Sequence, residues 1–141
     1  MAAETGHLVL STLHTLDAVE SITRLMSYFP PHQHLSLRMM LSQTLKAVVS
    51  QRLVTRADSK GMVPAIEILI ANEVVKETIL KSDDFDILKD TIRNSRNTYG
   101  MQSFDQSLLN LHKQGIITAE EAIRHASKKK DLELAMQGFE S

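Results

Sequence analysis

At 141 residues, with 43% hydrophobic residues and no cysteine, the chain has enough apolar mass for a real core and cannot form disulfides, thiolate metal sites or cysteine nucleophiles. Sixteen Lys and Arg against seventeen Asp and Glu leave a formal net charge of −1, so no overall field draws it to nucleic acid or to an anionic membrane. No window approaches the ~18 consecutive apolar residues of a membrane span, and Met1 to Gly6 carries no basic leader, so neither nucleic-acid binding nor membrane insertion is expected and a reducing cytoplasm suits the composition.

In chain order, Leu8 to Leu13 is an apolar run without a 3.6-residue period, which predicts a strand buried on both faces of a mostly parallel sheet. Asp17 is placed as an N-cap, and Ala18, Ser21, Ile22, Leu25, Met26 and Phe29 then recur at helical spacing until Pro30 and Pro31 stop the chain. Leu35 to Ala47 reads as a second helix. "AVVSQRLV" and "MVPAIEILI", joined by "RADSKG", read as two strands of a hairpin. From Asn72 four amphipathic stretches follow, "NEVVKETILKS", "DFDILKDTIRNS", "SFDQSLLNLHKQG" and "TAEEAIRHASKKKDLELAMQGF", each opened by a capping residue. Ser103 with Gln106 and Thr118 with Glu121 have capping-box spacing. The expected fold is therefore α/β in front (residues 1–71) and all helix behind (72–141).

The polar residues of "TGHLVLSTLHT" can be placed geometrically. On a strand, Leu8, Leu10, Thr12 and His14 share one face while His7, Val9, Ser11 and Leu13 share the other, so His7 and His14 cannot ligate one metal. Thr12 and His14 stand together at the strand's C-terminal end, where open α/β sheets bind ligands. A hydroxyl and an imidazole there can donate to a phosphate oxygen or orient a water; equally, they can satisfy buried backbone groups.

Other signals favour structure. His32 and His34 in "FPPHQH" lack further ligands, so no metal site is assigned and a surface loop is expected. "SKKKD" has no interleaved aromatics and reads as a solvated linker between two short helices. Met39 and Met40 read as core filler.

The block "AAETGHLVLSTLHT" resembles the His-box region of the secretion-type hexameric ATPases. "RLMSYFPP", "SQTLKAVVSQRLV", "YGMQSFDQSLLNLHKQGIIT" and "EEAIRHAS" resemble, in the same order, the PilT-type pilus-retraction branch. One departure is Leu16, where the family often has Asn. The resemblance implies a RecA-like parallel sheet, of which this chain would carry only a C-terminal part, and an ATP- and Mg²⁺-dependent motor. It also implies a hexameric ring of identical subunits in the cytoplasm, peripheral to the inner membrane, working against the platform proteins of a pilus machine.

The phosphate loop such a motor needs, G-x-x-x-x-G-K-[ST], is not in this sequence, nor is the acidic strand end that organises Mg²⁺; Gly6, Gly61, Gly100, Gly115 and Gly138 include no pair at the required spacing. In the family both lie upstream of "AETGH", so the chain is expected to begin shortly after the acidic strand, with Met1 an added start. It is expected to be inactive alone, the parent being the ATP hydrolase.

Carried over by the resemblance, Thr5, Gly6, His7, Thr12 and His14 belong to the His box beside the nucleotide. Thr12 and His14 are the catalytic candidates, and His14 is placed nearest the phosphate. Arg24, Gln51 and Arg52 are candidates for phosphate or subunit contacts, with a salt bridge the competing role for the two arginines. The absence of paired CxxC motifs after "QRL" favours retraction over the extension and type II secretion ATPases. Ala122, Ile123, Arg124, His125 and Ala126 resemble the family's retraction motif, although the same residues make an ordinary buried stripe and solvent face. A stand-alone helical interaction module and a fragment of an extension or type II secretion ATPase remain the alternatives.

Overall fold

A computed structural model describes residues 2–138; the expectations placed on Met1 and Phe139 lie outside the described residues. After a short 3₁₀ turn at Ala3–Thr5 the chain runs extended to Asp17, which caps helix α1 (Ala18–Ser27) by accepting the Glu20 N–H at 2.8 Å. Two prolines end α1 and a 3₁₀ turn at Pro31–Gln33 leads into α2 (His34–Thr44). That helix stops three residues short of the expected Ala47, because the β-branched run Val48–Val49 already belongs to a strand. Strands β1 (Ala47–Thr55) and β2 (Met62–Ile70) pair antiparallel with Thr55 opposite Met62, the hairpin the sequence predicts. Ser59 (φ 57°) and Gly61 (φ 124°) turn the loop between them.

Helices α3 (Glu73–Lys81), α4 (Ile87–Asn94), α5 (Arg96–Tyr99), α6 (Phe104–Lys113), α7 (Ala119–His125) and α8 (Lys129–Met136) complete the order, so the chain is α/β in front and helical behind. The Ser103–Gln106 capping box forms in full at the start of α6. At α7 only half of the expected box forms: Thr118 accepts the Glu121 N–H, but the Glu121 carboxylate turns away to β1. The "SKKKD" run is divided, with the Ser127 and Lys128 N–H groups donating to Asp105 and the rest winding into α8.

Val48, Ser50, Arg52 and Val54 of β1 share the inner face of the hairpin with Val63, Ala65, Glu67 and Leu69 of β2, and two apolar clusters form around it. One joins Leu69 to Ile22 and Met26 of α1, Leu37 of α2, Val75 and Ile79 of α3, and Leu88 and Ile92 of α4. The other joins Val54 and Ala65 to Phe104 and Leu108 of α6, Ile117, Ala122 of α7 and Leu132 of α8. The outer edge of β2 is covered: Ile68 exchanges backbone bonds with Gln102, and the Ile66 N–H donates to the Ser107 hydroxyl at 2.9 Å.

Among the described residues no parallel pairing forms, and the expected strand Leu8–Leu13 is an extended segment outside any sheet. Leu8 is 81% and Leu10 87% exposed, and Val9 between them 51%, so it is not buried on either face. The physical reason is a lack of partners: a doubly buried strand needs neighbours on both edges and both faces, and the described residues supply one hairpin whose β2 edge is occupied.

Candidate functional site

The free edge of β1 and the extended segment face each other across an open cleft of ≈ 900 Å³. One wall is Val9 and Ser11 to Leu16, the other Ala47 to Gln51, with Ser21 and Leu25 of α1 and Leu45 closing the end. In an antiparallel ladder alternate residues turn their N–H and C=O away from the partner strand. The Arg56 N–H bonds to Gly61 while that of Thr55 goes to Glu121, so Val49, Gln51 and Leu53 share Thr55's outward setting. Val49 and Gln51 therefore present main-chain groups of the sheet edge to the cleft.

Thr12 and His14 line this cleft and are exposed, as is Gln51 opposite them. The hydroxyls of Ser11, Thr12 and Thr15, the His14 imidazole and the Gln51 amide give it hydrogen-bond donors and acceptors; no lysine, arginine or carboxylate is among the lining residues. That donor set fits supplementary contacts to a phosphate oxygen and lacks the cationic and backbone cradle that would hold a triphosphate. Among the described residues no group of three or more His, Asp or Glu is placed to hold a metal ion.

The remaining sequence candidates lie elsewhere. Thr5, Gly6 and His7 form a local knot outside the cleft: the Thr5 hydroxyl donates to the Ala2 carbonyl at 2.9 Å and lies 3.1 Å from His7 Nδ1, and Gly6 closes the turn at φ 89°. Arg24 pairs with Glu20 at 2.8 Å, one turn back on α1. Arg52 points to the inner face, where its guanidinium carbon sits 3.9 Å from the centre of the Phe104 ring and Nε donates to the Leu16 carbonyl at 3.2 Å. Ala122, Ile123, Arg124, His125 and Ala126 lie on or at the end of α7, against the far end of β1. Ala122 is fully buried, and Arg124 and His125 pair with Glu121 at 3.3 and 3.2 Å.

Two buried carboxylates hold helices to the hairpin: Glu67, to which the sequence reading gave no role, and Glu121, expected only to complete the capping box of α7. Glu67, buried on β2, accepts the Ala18 N–H at 2.9 Å at the start of α1; burial is the main cause that raises its pKa, opposed by that hydrogen bond. Glu121, buried on α7, accepts the Thr55 N–H at 2.8 Å, and this bond is the main cause that lowers its pKa. The available signal was a single carboxylate at an inward position of an otherwise apolar alternation, Glu67 between Ile66 and Ile68.

Residues 1–100 match the family model described as "Type II/IV secretion system protein". The chain belongs to this family. Among curated members it is 41% identical over 140 residues to "Type IV pilus ATPase PilU" of Pseudomonas aeruginosa, covering 99% of this chain and 36% of that protein. It is 40% identical over 131 residues to a "Twitching motility protein" of Neisseria gonorrhoeae, covering 93% and 34%. The structure of the pilus retraction motor PilT with bound ADP superposes with a TM-score of 0.75 at 37% identity, covering 94% of this chain and 36% of that one; the Legionella pneumophila ATPase DotB gives 0.69 at 25%, covering 98% and 34%. The chain thus has the PilT-like fold of the secretion ATPases and spans about a third of the length of the family members it matches. No helix among the described residues is long and apolar enough to cross a membrane.

Proposed function

We propose that this chain is the C-terminal part of a type IV pilus retraction ATPase, contributing the γ-phosphate-sensing side of its nucleotide site. In this reading residues 1–71 complete a RecA-like ATPase domain and 72–141 form a helical subdomain. The parent binds ATP with Mg²⁺ through upstream elements, works in the cytoplasm as a hexameric ring at the inner-membrane platform of the pilus machine, and hydrolyses ATP. The observation that carries the reading is the pairing of Thr12 and His14 on one wall of the cleft, opposite the outward-facing edge of β1 at Gln51. Nucleotide use is supported by the likeness to PilT with bound ADP.

Each residue has a role its chemistry allows. His14 and Thr12 each have a hydrogen that can be donated to a phosphate oxygen as charge builds there, and a contact made only in that state lowers the barrier without tightening substrate binding. The segment that carries them runs straight into α1, so a phosphate that pulls on His14 also pulls on the helix packed against the hairpin. Thr5, Gly6 and His7, as the start of the His box, hold the turn from which the segment departs. Arg124 and His125 serve retraction through α7 in this reading. Retraction rather than extension is favoured by the uninterrupted run from "QRL" into β2 without cysteines.

Deleting the encoding gene separates the motor types. Loss of a retraction motor leaves surface pili with no twitching, whereas loss of an extension motor leaves cells bald; bald cells would overturn the retraction assignment.

A further inference from the structure

We infer that Glu67 and Arg52 are positioning residues that clamp the Leu16–Ala18 junction and so set where Thr12 and His14 lie across the cleft. Among the described residues no hydrogen bond ties Leu8 to His14 to the hairpin or to any other element. Its N-terminal turn packs against α2, and it is at its C-terminal end that the hydrogen bonds are dense. The Ala18 N–H donates to Glu67 Oε1 at 2.9 Å, and Arg52 Nε donates to the Leu16 carbonyl at 3.2 Å. The Leu16 N–H donates to Glu20 Oε2 at 2.8 Å and Thr15 Oγ1 lies 2.6 Å from Ser21 Oγ, both local to α1. Among the described residues, only Glu67 and Arg52 tie the junction to a different element by hydrogen bonds.

Their placement makes them act as a pair. Glu67 stands opposite Ser50 and Arg52 opposite Ala65, so both side chains rise from the inner face of the hairpin as diagonal neighbours. One accepts from the backbone just after Asp17 and the other donates to the backbone just before it. The junction is gripped by groups of opposite sense, and the unlike charges of Glu67 and Arg52 attract each other across the strands. Arg52 is itself braced by the Phe104 ring at the head of α6, which gives the helical region a direct contact with the residue that holds the extended wall of the cleft. A tight β1–β2 register is what makes this rigid: the clamp moves only if the hairpin moves.

The inference rests on the reading of Thr12 and His14 as the working residues only for its importance, since position can be read without nucleotide. The test is ¹⁵N relaxation and chemical shifts of the 141-residue chain and three variants. Arg52→Met keeps the stem over Phe104 and removes the bond to Leu16; Glu67→Ala removes the acceptor for Ala18; Glu67→Gln keeps a carbonyl oxygen at the same place. The expected result is that Arg52→Met and Glu67→Ala shift the Thr12 and His14 amides toward random-coil values and lower their heteronuclear NOEs. The β1, β2 and α6 amides should stay dispersed, and Glu67→Gln should restore wild-type values at Thr12 and His14. If Glu67→Ala does not fold, Arg52→Met decides. Thr12 and His14 amides unchanged in Arg52→Met would overturn the clamp, as would a Glu67→Gln chain as mobile there as Glu67→Ala. Either failure leaves the phosphate role of His14 standing, because that role is read from turnover instead.

Discussion

Replacing Glu121 by alanine tests how α7 is held to the sheet. The substitution removes the acceptor for the Thr55 N–H at 2.8 Å and the partner of Arg124 and His125. A hydrogen bond to an ionised group contributes about 1.5–3 kcal/mol. A carboxylate in the first turn of a helix adds roughly 0.3–1 kcal/mol. The pair with Arg124, whose side chain is 64% exposed, adds roughly 0.5 kcal/mol or less. The expected loss is about 3 kcal/mol, which for a chain of this size lowers the melting temperature by roughly 6–12 °C. Glu121→Gln, which keeps an acceptor oxygen, should cost only about 1 kcal/mol. The pH dependence has a definite sign. Because the folded-state pKa is lowered, the contribution is fully present above the unfolded value and disappears as pH falls through the folded one. The gap between wild type and Glu121→Ala should therefore be wide at pH 7 and close below about pH 4. Thermal unfolding followed by circular dichroism at both pH values provides the assay. An alanine variant melting within about 1 °C of wild type at pH 7 would refute the account of Glu121 as the anchor of α7.

Three further outcomes are expected. Glu67 behaves oppositely: with its folded pKa raised by burial, the stability it contributes is present below the unfolded value and lost as pH rises through the folded one. Urea midpoints of Glu67→Gln should therefore gain on wild type between pH 4 and 7, and parallel curves would contradict the burial of an ionisable group there. Ser50 Oγ is buried with no hydrogen-bond partner among the described residues, so Ser50→Ala should be neutral or stabilising by about 1 kcal/mol in the same assay, and a clear loss would mean the hydroxyl has a partner. Without a phosphate loop in its sequence, the 141-residue chain alone should show no ATP turnover above a mock-purified control.

Local chemistry made much of the fold legible in the sequence. Asp17, Asn72, Ser103 and Thr118 all cap the helices they were expected to cap, and the β1–β2 pairing follows from two alternating runs around a polar turn. Leu8–Leu13 was misread because apolar content signals a strand only where other strands exist to receive it; here the segment runs beside the β1 edge without bonding to it. Gly100, in the left-handed region at φ 71°, closes the separate turn α5 after the expected "DFDILKDTIRNS" helix. At the site, Thr12 and His14 could be named because they are polar residues closing an apolar run, and Gln51 because it is a polar residue within the block that resembles the family. Arg24 and Arg52 could be named but not placed, since an arginine's length lets it serve an ion pair, a ring or a phosphate equally well. Glu67 is given no role by the sequence, and Glu121 is expected at its own helix start rather than on β1, because their partners, Ala18 and Thr55, are backbone N–H groups 49 and 66 residues away, and no spacing rule connects them.

The central claim, that His14 works on the phosphate, is tested most directly by His14→Ala in the intact motor, measuring ATP turnover and nucleotide affinity together. A contact made only as charge develops should cost turnover about 100-fold while leaving affinity for ATP within a few-fold. Turnover at the wild-type rate would contradict the account and leave His14 an exposed residue of an extended segment.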